Sequence, residues 1–300
     1  MRKLVLLALV GLLAQVVDGS LGMAYGVTTS TLLITTGVAP AAASAAVHFS
    51  EVGTSLVSGI SHSTLGNTDW RTVGILAVPG AAGAFTGATL LSSIDGRVAT
   101  PWVAVLLLSL GVYVVYRFLA LRGRRPEFRG RLSAWFLMPL GLFGGLVDTL
   151  GGGGWGPIGT SSLLSSGRLE PRKVVGSIDT SEFVVAVAGS AGFLLALGSE
   201  GVNWSWVAAL MAGGVIAAPF AAWLVRHLPA RILGVAAGSL IALTNTKTLA
   251  EALGAEAATV AALAALVGIV SVSLILVAVQ DEQHARAAEV DGGPHQPAIA

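Results

Sequence analysis

The sequence predicts an all-α polytopic membrane protein built from two homologous halves, and three observations predict it. Charged residues fill 11% of the 300 positions and hydrophobic residues 54%, whereas a soluble domain carries roughly 25% charged residues to cover its surface. Charge-free apolar runs of about 20 residues, the length a bilayer demands, recur along the chain. The first run, with its glycine-rich interruption, returns in the second half. Each half is expected to hold a Gly-broken first segment followed by three transmembrane helices. The second half is expected to be inverted relative to the first, with one extra C-terminal helix. The expected division is a first repeat over 1–120, a basic cytoplasmic loop over 121–131, a second repeat over 132–250, an additional span over 256–279 and a disordered polar tail over 280–300.

Taken in order, the first segment opens with Arg2 and Lys3 ahead of an apolar stretch, which is also the pattern of a secretory signal. Its recurrence later in the chain favours a structural segment. Residues 4–36 are too many for one span and too glycine-rich at their centre to stay helical, so a break is expected around 18–22. Pro40 opens a segment carrying His48 and Glu51, and residues 72–94 and 98–116 follow as charge-free spans. The connection from Arg117 to Arg131 holds six arginines. The stretch 132–167 contains a single charge, Asp148, and is expected to break around 148–154. Pro171 then opens a segment with Asp179 and Glu182. Residues 201–225, a stretch interrupted by Asn245, Thr246 and Lys247, and residues 257–279 complete the series before the chain turns polar at Gln280.

Laying residues 11–37 over 141–167 matches Gly11 with Gly141, Asp18 with Asp148, Gly22 with Gly152, Gly26 with Gly156 and Leu33 with Leu163. One inserted residue brings Pro40 onto Pro171 and Ser50-Glu51 onto Ser181-Glu182. A further shift pairs Trp70 with Trp204 and Gly80 with Gly214. Paired acids in so acid-poor a chain favour duplication over shared composition. If each broken segment is a re-entrant hairpin, three full spans remain per half, and an odd number inverts the second half. That arrangement puts the six loop arginines inside together with Arg71, Arg168, Arg172, Lys173, Arg226, Arg231 and Arg286. Only Arg2, Lys3, Arg97 and Lys247 are left outside, as the positive-inside rule asks.

The central candidate site is the pair of breaks. The second runs Asp148-Thr149-Leu150-Gly151-Gly152-Gly153-Gly154-Trp155-Gly156-Pro157, and Asp18, Gly22, Tyr25 and Gly26 echo it. Consecutive glycines leave backbone amides uncovered, and a helix restarting near Pro157 points its positive end at the gap. Such amides bind small anions without a cationic side chain. Gly22, Tyr25, Gly26, Gly151, Gly152, Gly153, Gly154, Trp155, Gly156 and Asn245 are therefore the candidate substrate contacts. Close helix packing explains the Gly22/Gly26 and Gly152/Gly156 spacing equally well. Asp18, Asp148, His48, Glu51, Asp179 and Glu182 lie in or beside apolar stretches, where an ionisable group is costly and marks a pathway. They are the candidate coupling or gating groups. The plainer alternatives are that the aspartates cap half-helices and the glutamates bond structural hydroxyls. His62 reads as an interfacial residue near a span end, and Lys247 as a lysine reaching for the headgroups.

With these motifs in hand, the chain resembles the sulfite exporter TauE/SafE family, also called the toluene sulfonate uptake permease family. The resemblance covers about residues 4–250 and rests on the twofold glycine-rich stretch, the segments led by Pro40 and Pro171, the size and the duplication. It implies a permease of the cytoplasmic membrane for small sulfur-containing anions such as sulfite, thiosulfate or organosulfonates. The first repeat departs from the poly-glycine pattern at Met23 and Ala24, and the span at 257–279 is an addition to the two-half plan.

The function expected is thus secondary transport of a small anion with proton coupling, by a protein that is not an enzyme. No nucleotide-binding motif follows the glycines, and with no cysteine present, thiol chemistry and thiolate metal sites are excluded. No cofactor and no metal are expected. The partners are the anion, the bilayer and, compatible with the composition, further copies of the chain. A net charge of +1 gives no reason to invoke nucleic acid. Buried acids outnumber bases, so a cation or metal permease is the nearest rival. A non-transporting scaffold and an intramembrane enzyme using an Asp18–Asp148 pair complete the alternatives.

Overall fold

The computed structural model describes residues 2–120, 131–166, 168–224 and 230–291. The first half comprises α1 (Arg2–Leu21), α2 (Tyr25–Thr35), α3 (Pro40–Thr64), α4 (Trp70–Ser92) and α5 (Gly96–Ala120). The second comprises α6 (Ala134–Gly151), α7 (Trp155–Ser166), α8 (Pro171–Leu197), α9 (Trp204–Leu224) and α10 (Ala230–Ala252), and α11 (Ala257–Asp291) follows. Among the described residues there is no strand. Among the described residues, seven helices, α1, α4, α5, α6, α8, α9 and α11, are long and apolar enough to cross a membrane. The basic connection expected at 121–131 falls, apart from Arg131, outside the described residues.

Local chemistry explains where the helices start and stop. Pro40 and Pro171 open α3 and α8 at the first turn, where a missing N–H costs nothing. Asp69 caps α4, its Oδ1 accepting the Thr72 N–H at 2.8 Å. Gly152 closes α6 in the left-handed conformation, with its N–H bonded to the Asp148 carbonyl, a geometry in which a Cβ is penalised. The helices run further into the breaks than the sequence suggests. Asp18 and Asp148 sit in the last turns of α1 and α6, and the interruptions shrink to residues 22–24 and 152–154. At the other end, α11 continues past Gln280 to Asp291, through a segment of strong helix formers such as Ala285, Ala287 and Ala288.

Outside and inside are reversed relative to a soluble protein. Leu13, Val78, Trp102, Trp135, Leu195 and Ile216 are exposed, while His48, Glu51, Asp148, Asp179, Asn245 and many hydroxyls are buried. Apolar side chains on the outside suit lipid, and backbone polar groups satisfied within helices suit a medium without water.

Helices cross where glycine removes a side chain. Gly11 of α1 abuts the Leu210 carbonyl of α9, and Gly141 of α6 abuts the Leu76 carbonyl of α4. The ring of Tyr25 lies against Gly214 of α9, and the ring of Trp155 against Gly80 of α4. In each case an element of one half meets the other half, and the partners exchange consistently. The contacts also fix direction: α1 and α3 run parallel to α9, and α6 and α8 parallel to α4. α3 crosses α8 antiparallel, with His48 near Gly189 and Gly59 near Thr180. α1 and α6 therefore run in opposite directions.

The ends of the broken segments give the same sense. Lys3 and Val10 of α1 share the wall of a cavity of about 1150 Å³ with Leu32 and Thr36, at the far end of α2, and with Asn203. At the opposite end Arg71 donates to the Leu132 carbonyl and Arg168 to the Arg131 carbonyl, both at 2.8 Å. The start of α6 and the residue just beyond α7 thus lie side by side. α5 and α10 pair through Gly111 and Gly238. α11 packs on α10 at the periphery, where Arg231 and Asp281 form an ion pair of 2.5 Å.

Candidate functional site

The two breaks meet face to face. Gly153 rests on the backbone of Gly26 and Val27, and Gly156 on the carbonyl of Gly22 and the Cα of Met23. A Cβ at Gly153 or Gly156 would drive into backbone, so these glycines are required by the approach itself. Thr160 of α7 donates to the Gly22 carbonyl, locking one break to the helix that follows the other. The amides at the restarted helices are not vacant. Asp18 Oδ1 accepts the Tyr25 N–H at 3.2 Å. Asp148 Oδ1 accepts the Gly154 and Trp155 N–H groups at 2.7 and 3.0 Å. Each aspartate, held in the last turn before its break, folds back to cap the helix after it, so a carboxylate of the chain holds the donors that the sequence offers to an anion.

The capping aspartates also reach across to the other half. His48 Nε2 lies 3.1 Å from Asp148 Oδ2 and 4.0 Å from Glu51 Oε2, and ligating atoms of His48, Glu51 and Asp148 fall within 4.8 Å of one another. Oxygens of Asp18, Asp179 and Glu182 form a second group within the same limit. Each triad joins the break aspartate of one half to an acid-bearing pair three residues apart on the long helix of the other, α3 or α8. Every member is buried. The triads differ at one member: His48 in the first is matched, in the Pro40/Pro171 register, by Asp179 in the second.

The hydrogen bonds assign protons in the first triad. His48 Nδ1 faces the Ser44 carbonyl at 2.9 Å, which only accepts, so Nδ1 carries hydrogen. Nε2 faces Asp148 Oδ2, and one further proton lies on that line. Glu51 Oε2 has no hydrogen-bond partner. In the second triad Ser58 Oγ donates to Asp179 Oδ2 at 2.6 Å. His62 Nε2 lies 3.4 Å from the same oxygen and 3.1 Å from the Gly19 carbonyl. Asp179 Oδ1 is buried without a hydrogen-bond partner.

The structure thus gathers Asp18, Gly22, Tyr25, Gly26, His48, Glu51, Asp148, Gly152, Gly153, Gly154, Trp155, Gly156, Asp179 and Glu182 around the paired breaks, with Gly151 one residue before the second. Tyr25 joins through its hydroxyl, 2.9 Å from Ser50 Oγ, and Trp155 through its indole N–H, 3.2 Å from the Ile178 carbonyl. Asn245 stands apart on α10 and donates to Thr31 Oγ1 of α2 at 2.9 Å. Lys247 is half exposed beside Glu251, at 3.8 Å. His62 is not interfacial but fully buried in the last turn of α3, because it bridges the end of α1 to Asp179. Ser44 and Ser58 are neighbours of these groups that the sequence did not single out, and His62 is one that it assigned to the interface instead.

Comparison with known proteins follows the same line. A family model described as "Sulfite exporter TauE/SafE" matches residues 7–248, stopping short of α11. The chain is 52% identical over 254 residues to the Bacillus subtilis (strain 168) protein named "Probable membrane transporter protein YtnM", covering 83% of each chain. No solved structure matches it significantly.

Proposed function

The chain belongs to the sulfite exporter TauE/SafE family of membrane transporters, and we propose that it is a secondary transporter for a small anion, coupled to protons, in the cytoplasmic membrane. Sulfite, thiosulfate and organosulfonates are the substrates this reading names. One observation carries it: Asp148 already occupies an anion position, with one oxygen on the Gly154 and Trp155 amides and the other on His48. The aspartate acts as a built-in stand-in for the substrate.

A proton taken up by Asp148 removes its charge and loosens its hold on those donors. The substrate anion then takes over the Gly154 and Trp155 amides and the imidazolium of His48. Glu51, whose free Oε2 lies next to His48, receives or supplies the proton. This order resolves the excess of acid over base, since carboxyl and substrate never bear charge at the same donors together. The broken, oppositely directed segments fit a mechanism in which one half moves against the other around the breaks. The cavity beside Lys3 provides an approach to α2 from one end.

The test uses a sulfonate, whose charge does not change with pH, and the purified protein in detergent. Ligand-induced thermal stabilisation should be greater at the acid than at the alkaline end of the pH range in which the wild type stays folded. Asp148→Asn keeps an oxygen for the amides but has no charge to remove, so its stabilisation should lose most of that pH dependence. The other ionisable groups near Asp148 are His48, Glu51 and, through the breaks, Asp18, Asp179 and Glu182. Wild-type stabilisation that is flat across this range would overturn the proton-for-anion exchange.

A further inference from the structure

We propose that Asp18, Asp179 and Glu182 form a binding site for a hard inorganic cation, separate from the anion position at Asp148. The ion is one held by the protein, whichever anion is carried.

The two triads occupy matching places in the two halves, yet only the first contains its own base. His48 Nε2 is hydrogen-bonded to Asp148 at 3.1 Å and lies 4.0 Å from Glu51 Oε2, so one imidazole faces both acids of that group. At the second triad the histidine is replaced by Asp179, and three carboxyl groups converge within 4.8 Å. The surrounding donors are too few. Asp18 Oδ1 has the Tyr25 amide, and Asp179 Oδ2 has Ser58 and a longer contact to His62. Asp179 Oδ1 has nothing, although it is buried. Such an oxygen costs free energy unless something fills its place. Among the described residues, no lysine or arginine forms an ion pair with any of the three.

The donor set names the class of ion. All three ligands are carboxylate oxygens, with no sulfur, and the Nε2 of the nearest imidazole, His62, is engaged by the Gly19 carbonyl at 3.1 Å and by Asp179 Oδ2 at 3.4 Å. Oxygen-only sets select sodium, calcium or magnesium over the softer transition metals. Oxygens up to 4.8 Å apart can straddle an ion at the 2.3–2.6 Å typical of calcium. Because Asp18 also caps α2, occupancy of this site would fix the first break while the second remains free to exchange proton and anion.

The experiment measures thermal stability of the purified full chain in choline chloride, with sodium, calcium or magnesium chloride added singly at matched ionic strength. The expected result is a saturable rise in Tm with at least one of the three, and which ion gives it assigns the charge. The rise should vanish in Asp179→Asn and persist in Glu251→Gln, which alters an exposed acid on α10. If Asp179→Asn does not yield folded protein, Glu182→Gln takes its place. A wild-type Tm that none of the three cations moves relative to choline would overturn the site and leave protons alone to neutralise the triad. A rise unchanged in the triad variant would overturn it equally, by placing the ion elsewhere.

Discussion

At the scale of single residues, the site is governed by what glycine leaves out. Gly153 adopts φ +153 with the Gly26–Val27 backbone where its side chain would be. Gly153→Val should destabilise the protein by about 3 kcal/mol or more, combining overpacking with a forbidden conformation. Loss of monodisperse elution in detergent is the measurement. Ala24 presents the opposite case, a non-glycine residue at φ +120 immediately before α2. Its counterpart in the second break is Gly154. Ala24→Gly should therefore relieve strain and stabilise the protein by roughly 1 kcal/mol, seen as a higher Tm. Four glycines in a row are visible in the sequence, but their task is not. The same run serves an open anion site or two backbones in contact, and only the neighbour, residues 22–27 from the other half, decides. The aspartates were legible as caps because a carboxyl six or seven residues before a restarted helix can fold back. That one oxygen caps while the other bonds His48 was not, since it needs the distance between halves.

Individual helices show which patterns a sequence exposes and which it hides. Ser44, His48, Glu51, Ser55, Ser58 and His62 fall alternately four and three residues apart on α3 and are all buried. This polar stripe at helical period was the available signal for Ser58 and His62. It is easy to pass over because hydroxyls are common in membrane helices and because His62 stands near a helix end. Glycines on the spans are harder still. Gly141 touches the Leu76 carbonyl and Gly11 the Leu210 carbonyl, while Gly74 meets open space. Gly11→Leu and Gly141→Leu should each force a crossing apart and lower the yield of folded protein sharply. Gly74→Ala should be neutral or stabilising, by up to about 1 kcal/mol of helix propensity. Detergent melting curves of the three variants check the assignment, and equal losses in all three would contradict it. Nothing in the local sequence separates Gly74 from Gly80 or Gly83, since each is a small residue on the same apolar helix.

For the molecule as a whole, the broken segments were legible from length and glycine content, and the membrane class from the scarcity of charge. The contacts that join the halves were not, because a duplication in sequence says nothing about who packs on whom. The directions of the helices make a topological prediction. Single cysteines replacing Arg131 and Arg172 should label from one side of the membrane, and those replacing Thr36 and Glu200 from the other. Labelling of Arg172→Cys together with Glu200→Cys from one side would rule out the inverted hairpin arrangement. The exchanged ring contacts carry a genetic consequence. Because Trp155 lies on Gly80 while Tyr25 lies on Gly214, damage in one half has its natural suppressor in the other. Gly80→Ala presses chiefly on the outer edge of the Trp155 indole, so a second change, Trp155→Phe, should restore the yield that the first removes. Gly214→Ala meets Thr54 before it meets Tyr25, so Tyr25→Phe should rescue nothing. A selection for revertants of the two alleles would then return its answers from different places: for one, the break of the opposite half; for the other, α3.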